Sequence, residues 1–491
     1  MANWRSFGDR MLKTFFNPAS LHNSSSRRRG GGGGCLLLGG IKKASTFSRI
    51  TGCSSCSSPP PPPPPASHRS PSSSPLLMVP PGVAFVDHKN TGKHDDSSSS
   101  SNEDYFHFFS VSEQSQIRVP KNLTIPWQRD LLTPDAARCV GSSHGGWLAF
   151  AHPRNSYPYL YNPLIDSPHF PYIPLPSIET LPHVRGVRLL KSDHLTPSPS
   201  LITRFQMLYD SSEIYLSSRK VCLYYMHRLA MSSAPSFPCY SFSSSKSKPK
   251  LDEDCTIMAL HGMGLNDIAF CKPGDDRWTV LDGSLPYYCD IMYFSKDQRF
   301  YALKPDDDSI EAWDLRDPSC PKNQVFDSPS ICPGKLEDKL QESYHFIQNN
   351  YLVESSGDLL LLYRFIANII TNSDDLSEEQ LNGLDEAYWT LGFEVRKFDF
   401  DHNKWELVEC LGDRALFVGS NQSFSLSTCD HPELMGNSIY FTDDNFNQFN
   451  RKYGYHDNGV FCLGENSIKP YYPSSVKMID PHPIWVAPFT M

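Results

Sequence analysis

The chain has 491 residues and a formal charge of −9, from 45 Lys and Arg against 54 Asp and Glu. Residues 1–86 hold ten basic residues and one acidic residue, so this head carries +9 and the remainder carries −18. An acidic body lacks the clustered Lys and Arg that phosphate-backbone binding needs, which excludes nucleic acid as an expected partner.

The N-terminal part has the composition of a disordered segment. Its proline run 59–65 is flanked by the serine-rich stretches 54–74 and 97–101. Such a segment cannot bury enough apolar surface to offset the loss of chain entropy on folding. We therefore expect residues 1–101 to form a basic, Ser/Pro/Gly-rich transit peptide and disordered linker, and residues 102–491 to form the folded domain.

The head also has the features of an organellar address. Four apolar residues at i, i+3, i+7 and i+11 form one stripe of a short helix: Trp4, Phe7, Met11 and Phe15. A basic amphipathic helix in an Arg-rich, Ser-rich and acid-poor segment is typical of transit peptides. The early helix favours the mitochondrion, and the long Ser/Pro tract keeps the chloroplast as an alternative. A tail without an address would leave the protein in the cytosol or nucleus.

No segment is expected to span a membrane. The most apolar stretch, 359–370, is interrupted by Arg364 and Asn368 and is shorter than the roughly 18 residues that a spanning helix needs.

The body reads as many short strands, because apolar runs bounded by Gly, Pro, Asp and Asn recur through it. Sixteen runs are predicted strands: 146–151, 159–161, 221–226, 256–260, 267–271, 278–281, 291–294, 300–303, 310–315, 351–354, 359–365, 393–400, 405–409, 415–418, 438–441 and 460–463. This pattern predicts an all-β protein, and the closed architecture that suits it is a β-propeller of about six to eight four-stranded blades.

Turn residues and tryptophans support this architecture. Polar turns at 304–309, 355–358 and 401–404 separate pairs of predicted strands, as in hairpins. Trp278 and Trp313 are 35 residues apart, close to the repeat length of a propeller blade.

Two segments interrupt the strand pattern. Residues 231–254 are rich in Ser, Pro and Lys and are expected to form a long exposed loop. Residues 375–388 begin like a helix with a capping box and continue with apolar residues at helical spacing, which predicts an acidic helical insertion. Either segment could contact a partner or be a tolerated surface loop.

No motif in the body predicts catalysis. Residues 141–145 match the GxSxG pattern, but an apolar strand follows them where a nucleophile elbow needs a helix. Residues 399–404 open like a calcium loop, yet Lys404 occupies the position of the required glycine. Both segments are interpreted as turns.

No motif predicts a metal or cofactor either. Cys53 and Cys56 have no second cysteine pair, the histidines lack ligand spacing, and glycines 30–34 lack the ending of a phosphate loop. The sequence thus predicts no catalytic residue, no cofactor-binding residue and no metal ligand. Asn122 and Asn421 fit glycosylation sequons, but nothing else indicates secretion.

Three strings resemble one family. The first is CVGSSHGGWL at 139–148, followed by YNPL at 161–164 and IPLP at 173–176; the second is YLVESSGDLL at 351–360; the third runs from Trp405 through LGDRALFVG at 411–419 to NSIYFTDD at 437–444. In order and spacing they resemble the plant KIB-type β-propeller proteins, also called domain of unknown function 295. The resemblance covers roughly residues 105–490.

The resemblance implies a fold, but it leaves the activity open. Many of these proteins carry an N-terminal F-box that docks to a ubiquitin-ligase scaffold, and no such module is recognisable before Cys139. The chain therefore resembles an organelle-targeted branch without the F-box.

Three functions follow as expectations. The first is a non-enzymatic interaction scaffold whose protein partner is basic or neutral, because like charges oppose association. The second is an F-box-related substrate receptor in the cytosol or nucleus, and the third is an enzyme with a central-channel site. The oligomeric state stays open.

Overall fold

The protein, seen here in a computed structural model, is built almost entirely of β-strands. The structure describes residues 75–79, 105–111, 115–120, 138–142, 146–151, 157–162, 172–188, 202–209, 212–235, 255–262, 266–284, 287–305, 307–327, 346–368, 388–444, 456–470 and 483–487. These ranges contain 28 strands arranged in seven sheets. The predicted all-β class is confirmed.

Six sheets are blades, and blade 1 combines strands from both ends of the chain. Blade 1 comprises β1 (Leu76–Val79), β2 (Tyr105–Ser110), β3 (Ser115–Pro120) and the last strand, β28 (Ile484–Val486). Blade 2 comprises β4 (Arg138–Ser142), β5 (Leu148–Ala151), β6 (Pro158–Tyr161) and β7 (Tyr172–Pro174). Blade 3 comprises β11 (Met226–Met231), β12 (Ile257–His261), β13 (Asp267–Cys271) and β14 (Thr279–Val280).

The other three blades follow in chain order. Blade 4 comprises β15 (Asp290–Phe294), β16 (Arg299–Leu303), β17 (Ile310–Asp314) and β18 (Lys322–Phe326). Blade 5 comprises β19 (Phe346–Ser355), β20 (Asp358–Asn368), β21 (Tyr388–Asp399) and β22 (Lys404–Leu407). Blade 6 comprises β23 (Arg414–Val418), β24 (Phe424–Ser427), β25 (Ser438–Phe441), β26 (Gly459–Cys462) and β27 (Ser467–Pro470), with β23 and β25 parallel.

The seventh sheet lies between blades 2 and 3 in the chain and is called here the inserted sheet. It comprises β8 (Val184–Arg188), β9 (Ile202–Tyr209) and β10 (Ser212–Ser217). A 3-10 helix (Ile178–Thr180) precedes it and helix α1 (Ser218–Tyr224) follows it. Within the described ranges, no helix has the length and apolarity to span a membrane.

Hydrophobic clusters join each blade to the next and close the ring. Each of six clusters combines side chains from neighbouring blades, the inserted sheet sharing the cluster of blades 2 and 3. The closing cluster packs Leu77 of blade 1 and Phe417 of blade 6 against Trp485 of β28. The protein is therefore a β-propeller of six blades, within the predicted range.

Strand β1 corrects the expected domain boundary. It lies inside residues 1–101, the segment assigned to transit peptide and linker, yet it pairs with β2 on one side and β28 on the other. Leu76 and Leu77 are fully buried. The apolar run 76–79 is short and is flanked by Pro and Ser. It was not predicted as a strand because the surrounding residues have the composition of a disordered segment. The helix predicted near Trp4 lies outside the described residues.

Fifteen of the sixteen predicted strands are confirmed in place, and 221–226 was wrong. That run forms most of α1, because the Ser217 side chain accepts a hydrogen bond from the Lys220 N–H and caps a helix start. Val221 and Tyr225, spaced i and i+4, are buried on one helix face. β-branched Val221 made the segment look like a strand.

The tryptophan spacing was not a true repeat. Trp278 precedes the fourth strand of blade 3, whereas Trp313 lies in the third strand of blade 4, so the two residues are not equivalent. Both side chains pack between blades, Trp278 in the cluster of blades 2 and 3 and Trp313 in that of blades 3 and 4.

The predicted turns form as hairpins with left-handed backbone where the turn requires it. Ser356 and Gly357 have φ of 53° and 76° between β19 and β20. Asn403 and Asp308 have φ of 54° and 55° in the other two turns. Most of the two predicted insertions, residues 236–254 and 369–387, lie outside the described residues.

Deleting β1 is expected to open the ring. A chain lacking residues 1–86 should lose at least about 3 kcal/mol in free energy of unfolding, because burial of a leucine side chain stabilises by about 1.5–3 kcal/mol. Denaturant unfolding measures the difference. The matched control lacks only residues 1–68 and should unfold at the wild-type midpoint; equal stability of the two truncations would contradict the closure by β1.

Candidate functional site

A buried arginine crosses the centre of the ring. Arg228 lies on β11 of blade 3, and its Nη1 donates to the Asn421 carbonyl oxygen at 2.7 Å. Its Nη2 donates to the Gly419 carbonyl oxygen at 3.1 Å. Both carbonyls belong to blade 6, three places from blade 3 and hence on the opposite side of the ring. The guanidinium thus ties together two blades that share no hydrophobic cluster.

Asp290 neutralises this guanidinium. Its Oδ1 lies 2.9 Å from Arg228 Nε, and its Oδ2 accepts the Leu352 N–H of blade 5 at 2.7 Å. Burial raises the pKa of the Asp290 carboxyl, while the Arg228 charge and the backbone N–H groups of Leu352 and Ile291 oppose that shift. The two charges are therefore paired and hydrogen-bonded, the condition under which burial is tolerated.

Asn421 completes the contacts to all six blades. Its Nδ2 donates to Ser142 Oγ of blade 2 at 3.0 Å and to the Trp485 carbonyl oxygen of blade 1 at 2.6 Å. We call Arg228, Asp290 and Asn421 the central hub. Asn421 is buried, so the sequon at this position is not accessible as a glycan acceptor.

Two glycines make room for this arrangement. A Cβ at Gly141 would lie 2.4 Å from the Leu229 carbonyl oxygen, so β4 and β11 approach closely only with glycine there. A Cβ at Gly419 would lie 2.0 Å from Thr442 Oγ1. Glycine at 419 therefore permits the close approach of Thr442.

A second buried cluster lies between blade 5 and the β25–β26 connection. Arg364 of β20 is fully buried, with Nη1 3.1 Å from Asp444 Oδ1 and Nη2 3.0 Å from Asp457 Oδ2. Its Nε donates to Thr390 Oγ1 at 2.9 Å. We call Arg364, Asp443, Asp444 and Asp457 the aspartate cluster.

Tyr351 joins the cluster to the central hub. Its hydroxyl donates to Asp444 Oδ2 at 2.8 Å, and the Arg228 guanidinium lies 5.9 Å from its ring centroid. Tyr351 therefore contacts both the aspartate cluster and the central hub.

Asp443 is the carboxyl of this cluster whose pKa is raised. Its Oδ2 accepts the Tyr388 hydroxyl at 2.6 Å and the Asp457 N–H at 3.3 Å, and His456 Nδ1 lies 3.8 Å away. Burial raises the pKa of Asp443 to about 6, and the charge of Asp457 adds to the shift, while Arg364 and His456 oppose it. Burial and the neighbouring Asp457 carboxylate therefore keep Asp443 protonated up to a higher pH than an ordinary aspartate.

Within the described ranges, no group of three His, Cys, Asp or Glu side chains is placed to hold a metal ion. Residues 141–142 end β4 and lead into β5, so the GxSxG segment joins two strands, as interpreted. In the string 411–419, Asp413 accepts the Ser427 hydroxyl, and Arg414 donates to Ser355 and Ser425.

Sequence reasoning missed these residues, although one signal was present. Arg364 was noted only as an interruption of the apolar run 359–370. A single charge inside such a run indicates a buried, paired group. Arg228 and Asp290 carry no comparable signal, because their partners lie on other blades.

Comparison with known proteins gives the family. Residues 108–462 match the KIB1-4 beta-propeller family, and the chain belongs to it. It is 25% identical to the F-box protein SKIP23 of Arabidopsis thaliana over 48% of this chain and 54% of that protein. It is 27% identical to the putative F-box protein At5g60060 of the same plant, over 60% of this chain and 72% of that protein. The chain thus spans about half the length of the first of these relatives.

Chains of solved structures match as well. A chain from a study of two prolyl endopeptidases is 12% identical, with 61% of this chain and 58% of that chain covered and a TM-score of 0.17. A likeness this low carries no argument about function.

Replacing Arg228 tests how much the central hub contributes to stability. Arg228→Met should lower the free energy of unfolding by about 3–5 kcal/mol, because it leaves the Asp290 carboxylate buried without a partner. The double variant Arg228→Met/Asp290→Leu should recover part of this loss in denaturant unfolding. Arg316→Ala, which breaks an exposed pair with Asp314, is the control and should keep the wild-type midpoint; an unchanged Arg228→Met midpoint would refute the hub.

Asp443 predicts a pH dependence of stability. Its pKa is about 6 in the folded protein and 3.8 as the ordinary value, so the folded state binds the extra proton between these pH values. Stability from this group is present below pH 3.8 and is lost as pH rises through about 6, on the order of 3 kcal/mol in total.

The variant Asp443→Asn should flatten the stability profile measured by denaturant unfolding from pH 4 to 7. Asp399→Asn is the matched control: that carboxyl is at the surface, its hydrogen bond with His402 lowers its pKa, and its replacement should keep the slope in this window. An unaltered slope in Asp443→Asn would contradict the assignment.

Proposed function

We propose that this KIB-family propeller is a non-enzymatic interaction scaffold that works inside an organelle, with the mitochondrion first and the chloroplast as the alternative. The central hub is the observation that supports a scaffold role. Arg228, Asp290 and Asn421 use their hydrogen-bonding groups on the six blades themselves, so the ring centre is a rigid core and recognition is left to the rim loops.

The charge of the body supports a particular kind of partner. Residues 87–491 carry −18, which favours association with a basic or neutral protein surface through complementary potentials. The basic, acid-poor composition of residues 1–86 supports the organellar address.

A second candidate is a substrate receptor of a ubiquitin ligase in the cytosol or nucleus. The relatives' printed names, which describe F-box proteins, are the observation that favours it. An enzyme with a central-channel site is the third function considered. The central hub occupies the place where such a site would lie, so this function has no supporting observation among the described residues.

The proposed organellar localisation can be tested without disturbing the fold. A C-terminal fluorescent fusion of the full chain should co-localise with a mitochondrial marker, and the fusion lacking residues 1–68 should not. This truncation keeps β1, so a change in location cannot be attributed to an opened ring. A full-length fusion in the cytosol or nucleus would contradict the organellar proposal and favour the ubiquitin-linked candidate.

The two leading candidates also differ in one binary interaction. The purified full chain should not bind the adaptor subunit that F-box proteins dock to, whereas an F-box relative used as the positive control should bind it. Binding of the adaptor subunit by the full chain in a titration would overturn the proposal of an organellar scaffold.

A further inference from the structure

The inserted sheet has one open edge. On the β8 side, the Gly186 N–H donates to Glu179 Oε1 at 2.9 Å, so a side chain covers that edge. On the other side, β10 is the last strand of the sheet order, and no described strand pairs with its outer edge. An unpaired strand edge is a template for another extended chain.

The two faces of the inserted sheet differ. Val184, Phe205 and Leu216 point inward and are buried in the cluster shared by blades 2 and 3. On the outer face, Arg185, Gln206 and Tyr215 form one register row. Val187, Arg204 and Ser217 form the next row. Tyr215 is 51% exposed.

The segment that contains the inserted sheet is basic on an acidic protein. Residues 184–224 hold six Lys and Arg against three Asp and Glu, a net of +3. The rest of 87–491 has 29 basic and 50 acidic residues, a net of −21. Arg185 and Arg204 are exposed and form no ion pair within the described part of the chain, whereas exposed Arg316 pairs with Asp314. Arginine and tyrosine are enriched at protein–protein interfaces, so unpaired arginines beside an exposed tyrosine are typical of a binding surface.

We propose that the inserted sheet is a docking site for an acidic, extended segment of a partner protein, which adds to β10 as a fourth strand. Arg204 pairs in register with Ser217, whose small side chain leaves the guanidinium reachable from the β10 edge. Glu213 lies on the same outer face of β10, at its other end, so the carboxylates of the added strand would lie at the Ser217 end, near Arg204. Alternate side chains of the added strand would continue the apolar row of Ile214 and Leu216.

This inference rests on the scaffold role only in supposing a protein partner. The inserted sheet would bind an acidic segment. It is therefore a second surface, distinct from the acidic remainder of the protein that favours basic or neutral partners. A binding experiment with purified protein is also independent of the compartment.

The test uses two fluorescein-labelled decapeptides, one alternating Glu with Val and one alternating Lys with Val, titrated with the purified full chain in fluorescence anisotropy. The Glu peptide should bind at the inserted sheet, whereas any Lys peptide that binds the acidic remainder should not compete with it. A central proline in the Glu peptide should weaken binding, because proline removes a backbone donor needed for strand pairing. Raising the salt concentration should weaken it as well.

Variants locate the site. Arg185→Glu/Arg204→Glu should weaken Glu-peptide binding at least about tenfold, because like charges oppose association. Arg118→Glu, at an exposed position on β3 of blade 1, is the control and should keep the wild-type affinity. All variants should keep the wild-type melting midpoint.

Three outcomes would overturn the proposal: no binding of the Glu peptide, an equal loss in the Arg118→Glu control, or proline-insensitive binding. A partner recovered from isolated mitochondria that still binds the Arg185→Glu/Arg204→Glu variant would leave the scaffold role intact while removing this surface from it.

Discussion

The pairing of Arg228 with Asp290 is the constraint on which the rest of the ring depends. Each hydrophobic cluster joins only two neighbouring blades, so a ring held by clusters alone could shear at any one interface. The guanidinium reaches the opposite blade, Asp290 reaches blade 5, and Asn421 reaches blades 1 and 2. Because buried charges are costly unless every donor and acceptor is satisfied, this geometry tolerates little displacement of any blade.

That rigidity separates the centre of the protein from its working surfaces. Tyr351 contacts both the hub and the aspartate cluster, and blade 5, with the longest strands, is held by that cluster through Arg364. The surfaces left for recognition are loops and the inserted sheet, which depart from the regular blades. A rigid ring with variable attachments is consistent with a family in which the fold is shared and the partner is not.

Local patterns predicted most of the fold, and the failures have local causes. Short apolar runs and turn residues located fifteen of the 28 described strands, since alternating burial and left-handed turn positions depend on neighbouring residues. Helix α1 was missed because the cap of Ser217 outweighed the strand preference of Val221. Strand β1 was missed because its two neighbours in space, β2 and β28, include a strand from the opposite end of the chain.

By itself, the sequence determined the all-β class, most strand positions, the hairpin turns, the basic head and the family resemblance. Only the tertiary structure decided the number of blades, the closure of the ring by β1 and β28, and the partners of Arg228, Asp290 and Arg364. The physical reason is range: strands and turns follow from interactions within a few residues, whereas Arg228 and Asn421 meet across 193 positions of sequence. Such pairings exist only once the ring has closed.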